Sequence, residues 1–219
     1  MDYAIFIPRP NCPAMFAPEG SPSVALDTVA GNLVTGAVSV NDVSLTVAAN
    51  SNRMLVAMID NTASRTVSSV AYTAGSGGAW TLLGSAVTGG GNDVEIWYSS
   101  APSTGAITVR TTYSGTMGAF DGNVVLYSLY NATTPTTYTS DVVGTSPTIS
   151  LSLSAGGMML GECVANGALT PVLTGTQDYD NSSNDIHNAA HNTGSGSVTI
   201  TWTGAANARG INACAVPKA

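Results

Sequence analysis

Over most of its length the chain alternates apolar and polar residues at a period of two, which is the pattern of half-buried β-strands. Val, Ile, Thr and Tyr are frequent in these segments, and Gly, Ser, Asn and Pro mark the turns between them. No segment shows an apolar helical stripe with caps. The pattern therefore predicts strands at about 24–29, 33–38, 43–48, 54–60, 67–73, 93–99, 106–113, 123–130, 136–143, 147–153, 158–165, 197–203 and 209–216.

A strand–turn–strand pattern occurs twice along the chain. Segment 44–58 resembles segment 150–163, and segment 106–129 resembles segment 197–216. Two units of about four strands are the components of a double Greek-key jelly roll. The sequence therefore predicts an all-β fold, a jelly-roll β-sandwich built from two repeated Greek-key-like halves.

The first 22 residues differ from the rest of the chain. They hold five of the ten prolines, which are Pro8, Pro10, Pro13, Pro18 and Pro22. Proline at this density excludes a helix or a central strand, and the neighbouring apolar side chains argue against a solvated linker. We expect an extended Pro-rich N-terminal arm at 1–22, followed by one domain at 23–219. Phe6, Met15 and Phe16 are its candidate interface anchors, although the arm could equally pack on its own domain.

Composition excludes several classes of function. Only 9% of the 219 residues are charged, the net charge is −7, and the six basic residues are scattered. No basic patch is present to neutralise phosphates, so nucleic-acid binding is not expected. No apolar run is long enough to span a membrane, and the N-terminus lacks the features of a signal peptide. Cys12, Cys163 and Cys214 are too few and too far apart for a disulfide framework, and the last two are expected to be buried.

The least regular part of the chain, 166–195, carries the candidate ligand or ion loop. Its chemistry-bearing residues are Asp178, Tyr179, Asp180, Asp185, His187 and His191. If 184–191 is extended, positions 185, 187 and 191 share one face. Calcium would prefer the carboxylates and a transition metal the histidines. Because the spacing matches no defined motif, a polar surface loop is the competing interpretation, and no metal ligand or cofactor is assigned.

Catalytic arrangements are weakly indicated. A glycosidase needs two carboxylates at a defined separation, and the candidates are Asp93, Glu95, Asp121 and Glu162. Glu162 lies in an apolar strand, is expected to point outward or to an edge, and has no second acid near it in sequence. A serine triad needs a histidine, and both histidines lie in the irregular segment without a Gly-x-Ser-x-Gly elbow. We therefore expect no enzyme, no catalytic residues and no cofactor.

Three strand motifs carry a resemblance to a known group of domains. They are a Leu-Thr-Val strand before an Arg-x-Leu-Val strand (45–56), a Val-Glu-Ile-Trp-Tyr strand followed by Ala-Pro (94–102), and an Ile-Thr-Val strand (107–109). Over about residues 40–216 the chain resembles β-sandwich domains of phage virion proteins and bacterial surface proteins. The resemblance implies display, adhesion or capsid decoration, and it brings no catalytic residues with it.

The sequence thus favours a non-enzymatic structural protein of a phage virion. It would be a capsid decoration (cement) or fibre-associated subunit, made in the host cytoplasm, that assembles through its arm and a low-charge β surface. Its partners would be further copies of itself, for which a trimer is one candidate, and virion proteins such as the major capsid protein. The alternative is a carbohydrate-binding or host-adhesion module that contacts a host surface glycan through Tyr98 or Tyr179.

Overall fold

The fold is built from β-strands alone in the part of the chain that the computed structural model describes, which is 22–62, 65–88, 91–141, 147–166, 172–181, 185–203 and 208–219. The predicted all-β class is confirmed. The strands are β1 Ala25–Leu33, β2 Val38–Val47, β3 Met54–Thr62, β4 Val67–Ala74, β5 Thr81–Val87, β6 Asn92–Ser100, β7 Gly105–Met117, β8 Gly122–Tyr130, β9 Thr137–Asp141, β10 Thr148–Asn166, β11 Val172–Leu173, β12 Thr176–Asn181, β13 Asp185–Thr203 and β14 Ala208–Val216.

Strands β1 to β8 form the first repeat, a sandwich of two antiparallel sheets. A five-stranded sheet has the order β1-β8-β3-β6-β5, and a three-stranded sheet has the order β2-β7-β4. The strands pair as β1 with β8, β2 with β7 and β3 with β6. Each pair is nested inside the one before it along the chain, which is the strand order of a jelly roll. Apolar residues such as Leu45, Leu55, Ile59, Ile107 and Leu126 fill the space between the two sheets.

The second repeat, β9 to β14, has the same arrangement, because β10 and β13 each contribute to two layers. Residues 158–166 of β10 and 185–193 of β13 complete the sheet order β9-β14-β10-β13-β12. Residues 148–153 and 197–203 pair with each other and with β11. The register of β10 shifts between Leu153 and Gly157, next to Gly156 at φ 80°. The predicted repeat is therefore confirmed, but each half has eight strand segments rather than about four.

Trp202 lies in the core of the second sandwich. It extends from the 197–203 part of β13 to the opposite sheet, where it contacts β10 and the first part of β13. A Cβ added at Gly161 would lie 2.9 Å from the Trp202 ring, so the glycine makes room for the indole. The indole Nε1 donates a hydrogen bond to Asn188 Oδ1 at 3.0 Å. Ile149, Leu151 and Ile200 pack with Trp202 in the same core cluster.

The two repeats join through their five-stranded sheets. Met54, Val56 and Met58 of the first repeat form one buried cluster with Leu160 and Cys214 of the second. At the two ends of this contact, a tyrosine ring occupies the space beside a glycine, with Tyr179 against Gly31 and Tyr138 against Gly84. The central strands are consequently buried on both faces, which explains why they carry nearly continuous apolar runs.

Several sequence predictions differ from the observed elements. Residues 33–38 do not form a strand of their own, since β1 ends at Leu33 and β2 begins at Val38. Strand β5 was not predicted, because its Leu-Leu-Gly sequence does not alternate. Cys163 and Cys214 are buried and free, as expected. The arm segment 1–21, with Phe6, Met15 and Phe16, lies outside the described residues.

We expect Trp202→Ala to lower the free energy of unfolding by about 3–5 kcal/mol, because it removes the largest side chain of a closed core and leaves Asn188 unpartnered. Urea denaturation followed by circular dichroism would measure this loss. Trp80→Ala is the matched control, since Trp80 is partly exposed and packs at a tilt of 43° against Tyr72, with ring centroids 5.6 Å apart. It should cost about 1–2 kcal/mol. Equal losses in the two variants would contradict the assigned core.

Candidate functional site

The predicted ligand or ion loop is largely a pair of strands. β12 pairs with the first part of β13, so the segment that begins at residue 185 is extended, as the loop hypothesis required. Period-two alternation then places positions 187, 189 and 191 on the face that meets the first repeat. His187 and His191 are therefore drawn into the contact between the repeats instead of lying on an exposed loop.

Asp178 and His191 form an ionisable pair in which Asp178 is buried and His191 is partly exposed. His191 Nδ1 lies 2.8 Å from Asp178 Oδ1, and the Tyr127 hydroxyl donates to Asp178 Oδ2 at 3.1 Å. The Asp178 side chain is 3% exposed and that of His191 is 17% exposed. Burial, followed by the charge of Asp178 and the hydrogen bond to it, raises the pKa of Tyr127 well above its usual range. Tyr127 therefore stays a neutral donor that ties the first repeat to β12.

The other loop residues are separated from this pair. The Tyr179 ring is half-buried beside Gly31, so it does not stand free as a stacking platform. Asp180 is exposed. Asp185 begins β13, and its side chain lies outside the described residues. The hypothesis of a glycan or ion at this segment stays a prediction.

His187 instead reaches across to the first repeat. Its Nδ1 lies 2.7 Å from Oδ2 of Asp60, and the two side chains are 2% and 0% exposed. Asp60 lies near the end of β3, after the apolar run 54–59. The two residues are 127 positions apart in sequence, and only the face-to-face packing of the sheets brings them together.

Glu162 joins this buried group, and its predicted outward orientation is wrong. Positions 160, 162 and 164 share one face of a strand, so Glu162 points inward with Leu160 and is 1% exposed. Its Oε1 accepts a hydrogen bond from Asn123 Nδ2 at 3.5 Å. Burial, then the charge of the neighbouring Asp60, raises the pKa of Glu162 well above its usual range, against the lowering effects of Asn123 and Asn212.

The resulting cluster, which we call the inter-repeat cluster, consists of Asp60, Asn123, Glu162, His187 and Asn212. Each of its members has a buried polar atom without a hydrogen-bond partner in the protein; these atoms are Asp60 Oδ1, Asn123 Oδ1, Glu162 Oε2, His187 Nε2 and both amide atoms of Asn212. Unpartnered buried polar atoms are rare and costly, so their concentration at one place marks a special site. In the sequence, this cluster is indicated by an acidic residue within each of two apolar strands, Asp60 in β3 and Glu162 in β10.

A second acidic pair lies inside the first repeat. Glu95 accepts hydrogen bonds from the Val67 backbone N–H at 3.0 Å and from Trp97 Nε1 at 2.7 Å. Asp93 is two residues away, with its Oδ2 unpartnered. Burial, followed by the charge of Glu95, raises the pKa of Asp93 to about 7.

These arrangements favour structural roles for the acids over contact with a substrate. The four acids of the two pairs are at most 4% exposed. A surface depression of about 400 Å³ near Arg53 and Ser100 includes none of them in its lining. Among the described side chains, no group of three or more His, Cys, Asp or Glu residues is arranged to hold a metal ion.

Comparisons with known proteins provide no family for the chain. No protein-family model, curated protein or solved structure matches it. In the parts of the chain that are described, there is no helix long and apolar enough to cross a membrane.

The raised pKa of Asp93 predicts a specific pH dependence. Between about pH 4 and pH 7 the folded protein retains a proton that the unfolded chain has released, so the free energy of unfolding falls as the pH rises. The slope from this group is at most about 1.4 kcal/mol per pH unit. Urea denaturation at several pH values should show a shallower slope for Asp93→Asn than for the unchanged protein.

Asp42→Asn is the control for this prediction. Asp42 is paired with Arg110 at 2.7 Å on the surface, and the hydrogen bond from Arg110 lowers the pKa of Asp42. A lowered pKa stabilises the fold above the usual range of Asp and is lost on acidification, which is the opposite sign. Asp42→Asn should therefore leave the slope between about pH 5 and pH 7 unchanged. The assignment fails if Asp93→Asn and Asp42→Asn behave alike.

Proposed function

We propose that this chain is a non-enzymatic structural subunit of a phage virion, a capsid decoration (cement) or fibre-associated protein. Its partners in this proposal are further copies of itself and other virion proteins such as the major capsid protein. The resemblance of its strand motifs to virion and surface domains supports this proposal. The main structural support is the tandem of two jelly rolls, in which Asp60, Asp93, Glu95 and Glu162 are buried while the hydroxyl pairs on the outer sheets are neutral.

The outer face of the second repeat's three-stranded sheet shows the surface chemistry. Thr148 and Thr201 share a hydrogen bond at 3.1 Å, and Ser150 and Thr199 share one at 2.7 Å. The first repeat has the same feature in Ser44 and Thr108, at 2.8 Å. The first repeat's sheet also carries the exposed Asp42–Arg110 ion pair, so the second repeat's sheet is the more neutral of the two. A neutral hydroxyl-lined surface lacks the charge that keeps surfaces apart, so it is suited to close packing against other protein.

The start of the described chain allows the arm to be removed as a test of its role in assembly. The Val24 backbone N–H donates to Gly156 O at 2.8 Å, and Asn131 Nδ2 donates to Ser23 O at 3.3 Å. Val24 itself is buried in the cluster between the repeats. Because these contacts begin at Ser23, removal of residues 1–22 leaves the described core contacts intact.

We expect the full chain to be oligomeric and a variant that lacks residues 1–22 to be monomeric, as measured by light scattering at matched concentrations. A full-length variant with Phe6, Met15 and Phe16 replaced by Ser should behave like the truncated chain, because large apolar side chains carry most interface energy. Replacement of Pro8, Pro10 and Pro13 by Ser is the matched control that keeps these anchors. A full chain that is monomeric throughout would remove assembly through the arm.

A further inference from the structure

We propose that Glu162 retains a proton beside Asp60 between the two repeats, and that this proton makes the contact between their five-stranded sheets weaken as the pH rises. This buried proton site is independent of the proposed virion role. It concerns how firmly the two repeats are held together, and it would operate in any assembly that the protein forms.

The first argument is the balance of charge in the inter-repeat cluster. Two carboxyl groups and one imidazole are buried together, at 0%, 1% and 2% exposed for Asp60, Glu162 and His187. Asp60 is paired with His187, whereas Glu162 forms no ion pair among the described residues. An ionised Glu162 would be an uncompensated buried charge next to a second carboxylate, which is a strongly unfavourable state. One retained proton removes that charge.

The second argument is the hydrogen-bonding capacity of the two carboxyl groups. Asp60 Oδ2 is used by His187 and Glu162 Oε1 by Asn123, while Asp60 Oδ1 and Glu162 Oε2 have no partner in the protein. Two carboxylates can only accept hydrogen bonds, so they repel each other. A proton on Glu162 makes it a donor to Asp60, and two carboxyl groups at one site retain a proton for this reason.

The third argument is that the surroundings do not favour the ionised form of Glu162. Among the residues that the structure describes, the ionisable groups that interact with Glu162 or lie next to it are Asp60 on β3, Tyr113 on β7, Tyr127 on β8, Tyr138 on β9, Cys163 on β10, Tyr179 on β12 and His187 on β13. Of these, only His187 can carry positive charge, and it is hydrogen-bonded to Asp60. Asn123 and Asn212 are neutral. The raised pKa of Glu162 agrees with this balance.

The position of Glu162 in the repeat indicates that its proton influences the contact between the two five-stranded sheets. With Met54 aligned on Met158, the pairing registers make Glu162 equivalent to Met58, which lies in the apolar contact between the sheets. A carboxyl group thus occupies a place where the other repeat has a thioether. When the sheets separate, Glu162 gains water and releases its proton, so each rise in pH favours the separated state.

The proton itself can be observed by nuclear magnetic resonance. The chain contains only three glutamates, Glu19, Glu95 and Glu162, so selective ¹³C labelling of the glutamate carboxyl carbon gives three signals. We expect one signal to keep the shift of a protonated carboxyl group at pH 7 and to be absent in Glu162→Gln. Asp60→Asn should shift its titration to lower pH by removing the neighbouring charge.

This measurement is decisive even if a variant does not fold. Titration of the unchanged protein alone overturns the proposal if all three glutamate signals change near the usual range of Glu. A signal that stays protonated at pH 7 but disappears in Glu95→Gln rather than in Glu162→Gln also overturns it, because the proton would then belong to the pair inside the first repeat.

The effect on the contact can be measured with two cysteines that lie in different cores. Cys214 is buried in the cluster between the repeats, and Cys163 is buried inside the second sandwich. In a Cys12→Ser background, the rate at which a thiol reagent labels Cys214, divided by the rate for Cys214 in the urea-unfolded chain at the same pH, reports separation of the sheets. Slower labelling of Cys163 shows that the second sandwich itself stays closed. Taking this ratio cancels the effect of pH on thiol chemistry in the opened state.

We expect this ratio to rise between pH 6 and pH 8, by up to about tenfold per pH unit. In Glu162→Gln and Glu162→Met, which carry no ionisable group at this position, the ratio should not change with pH. A ratio that is constant in the unchanged protein, or that rises equally in the Glu162 variants, overturns the link between the proton and the contact.

Discussion

The face-to-face packing of the two five-stranded sheets is the constraint on which the rest of the molecule depends. Each sheet already buries its other face against the three-stranded sheet of its own repeat. The central strands therefore have no solvent-facing side, and residues 54–61 and 122–129 are buried at successive positions. Every polar group in these runs must find its partner inside the protein or carry a penalty.

The two repeats meet this constraint with different residues, although their strand orders are the same. Asp60 and Asn123 are register neighbours in the first repeat, and the equivalent neighbours in the second are Val164 and Gly210. Conversely, Glu162 stands opposite Asn212 where the first repeat pairs Met58 with Val125. The inter-repeat cluster is thus a departure from symmetry in which each repeat contributes polar groups that the other lacks. Such a polar contact favours one relative orientation of the two sheets over the other orientations that purely apolar packing would allow.

Sequence analysis could identify the strands because alternation follows directly from the geometry of one half-buried strand. It could identify the repeat from the same signal. It could not identify β10 and β13 as strands that serve two layers, since that depends on bends at Gly156 and Gly196. The pairing of Asp60 with His187 was also beyond it, because a long-range side-chain contact is created by sheet packing and leaves no local pattern. The orientation of Glu162, however, was available from period-two alternation and was misassigned.

A chain with few charges would be expected to keep them on its surface, where hydration is strongest. Here Asp60, Asp93, Glu95 and Glu162, four of thirteen acids, are almost fully buried, while the outer hydroxyl ladders are neutral. Titration of interior groups changes the stability of the fold, whereas titration of exposed groups mainly changes the net charge. The pH response of this protein should therefore come largely from its interior. Contacts through the neutral hydroxyl ladders should vary little with pH, whereas the buried carboxyl groups make the stability of each subunit depend on pH.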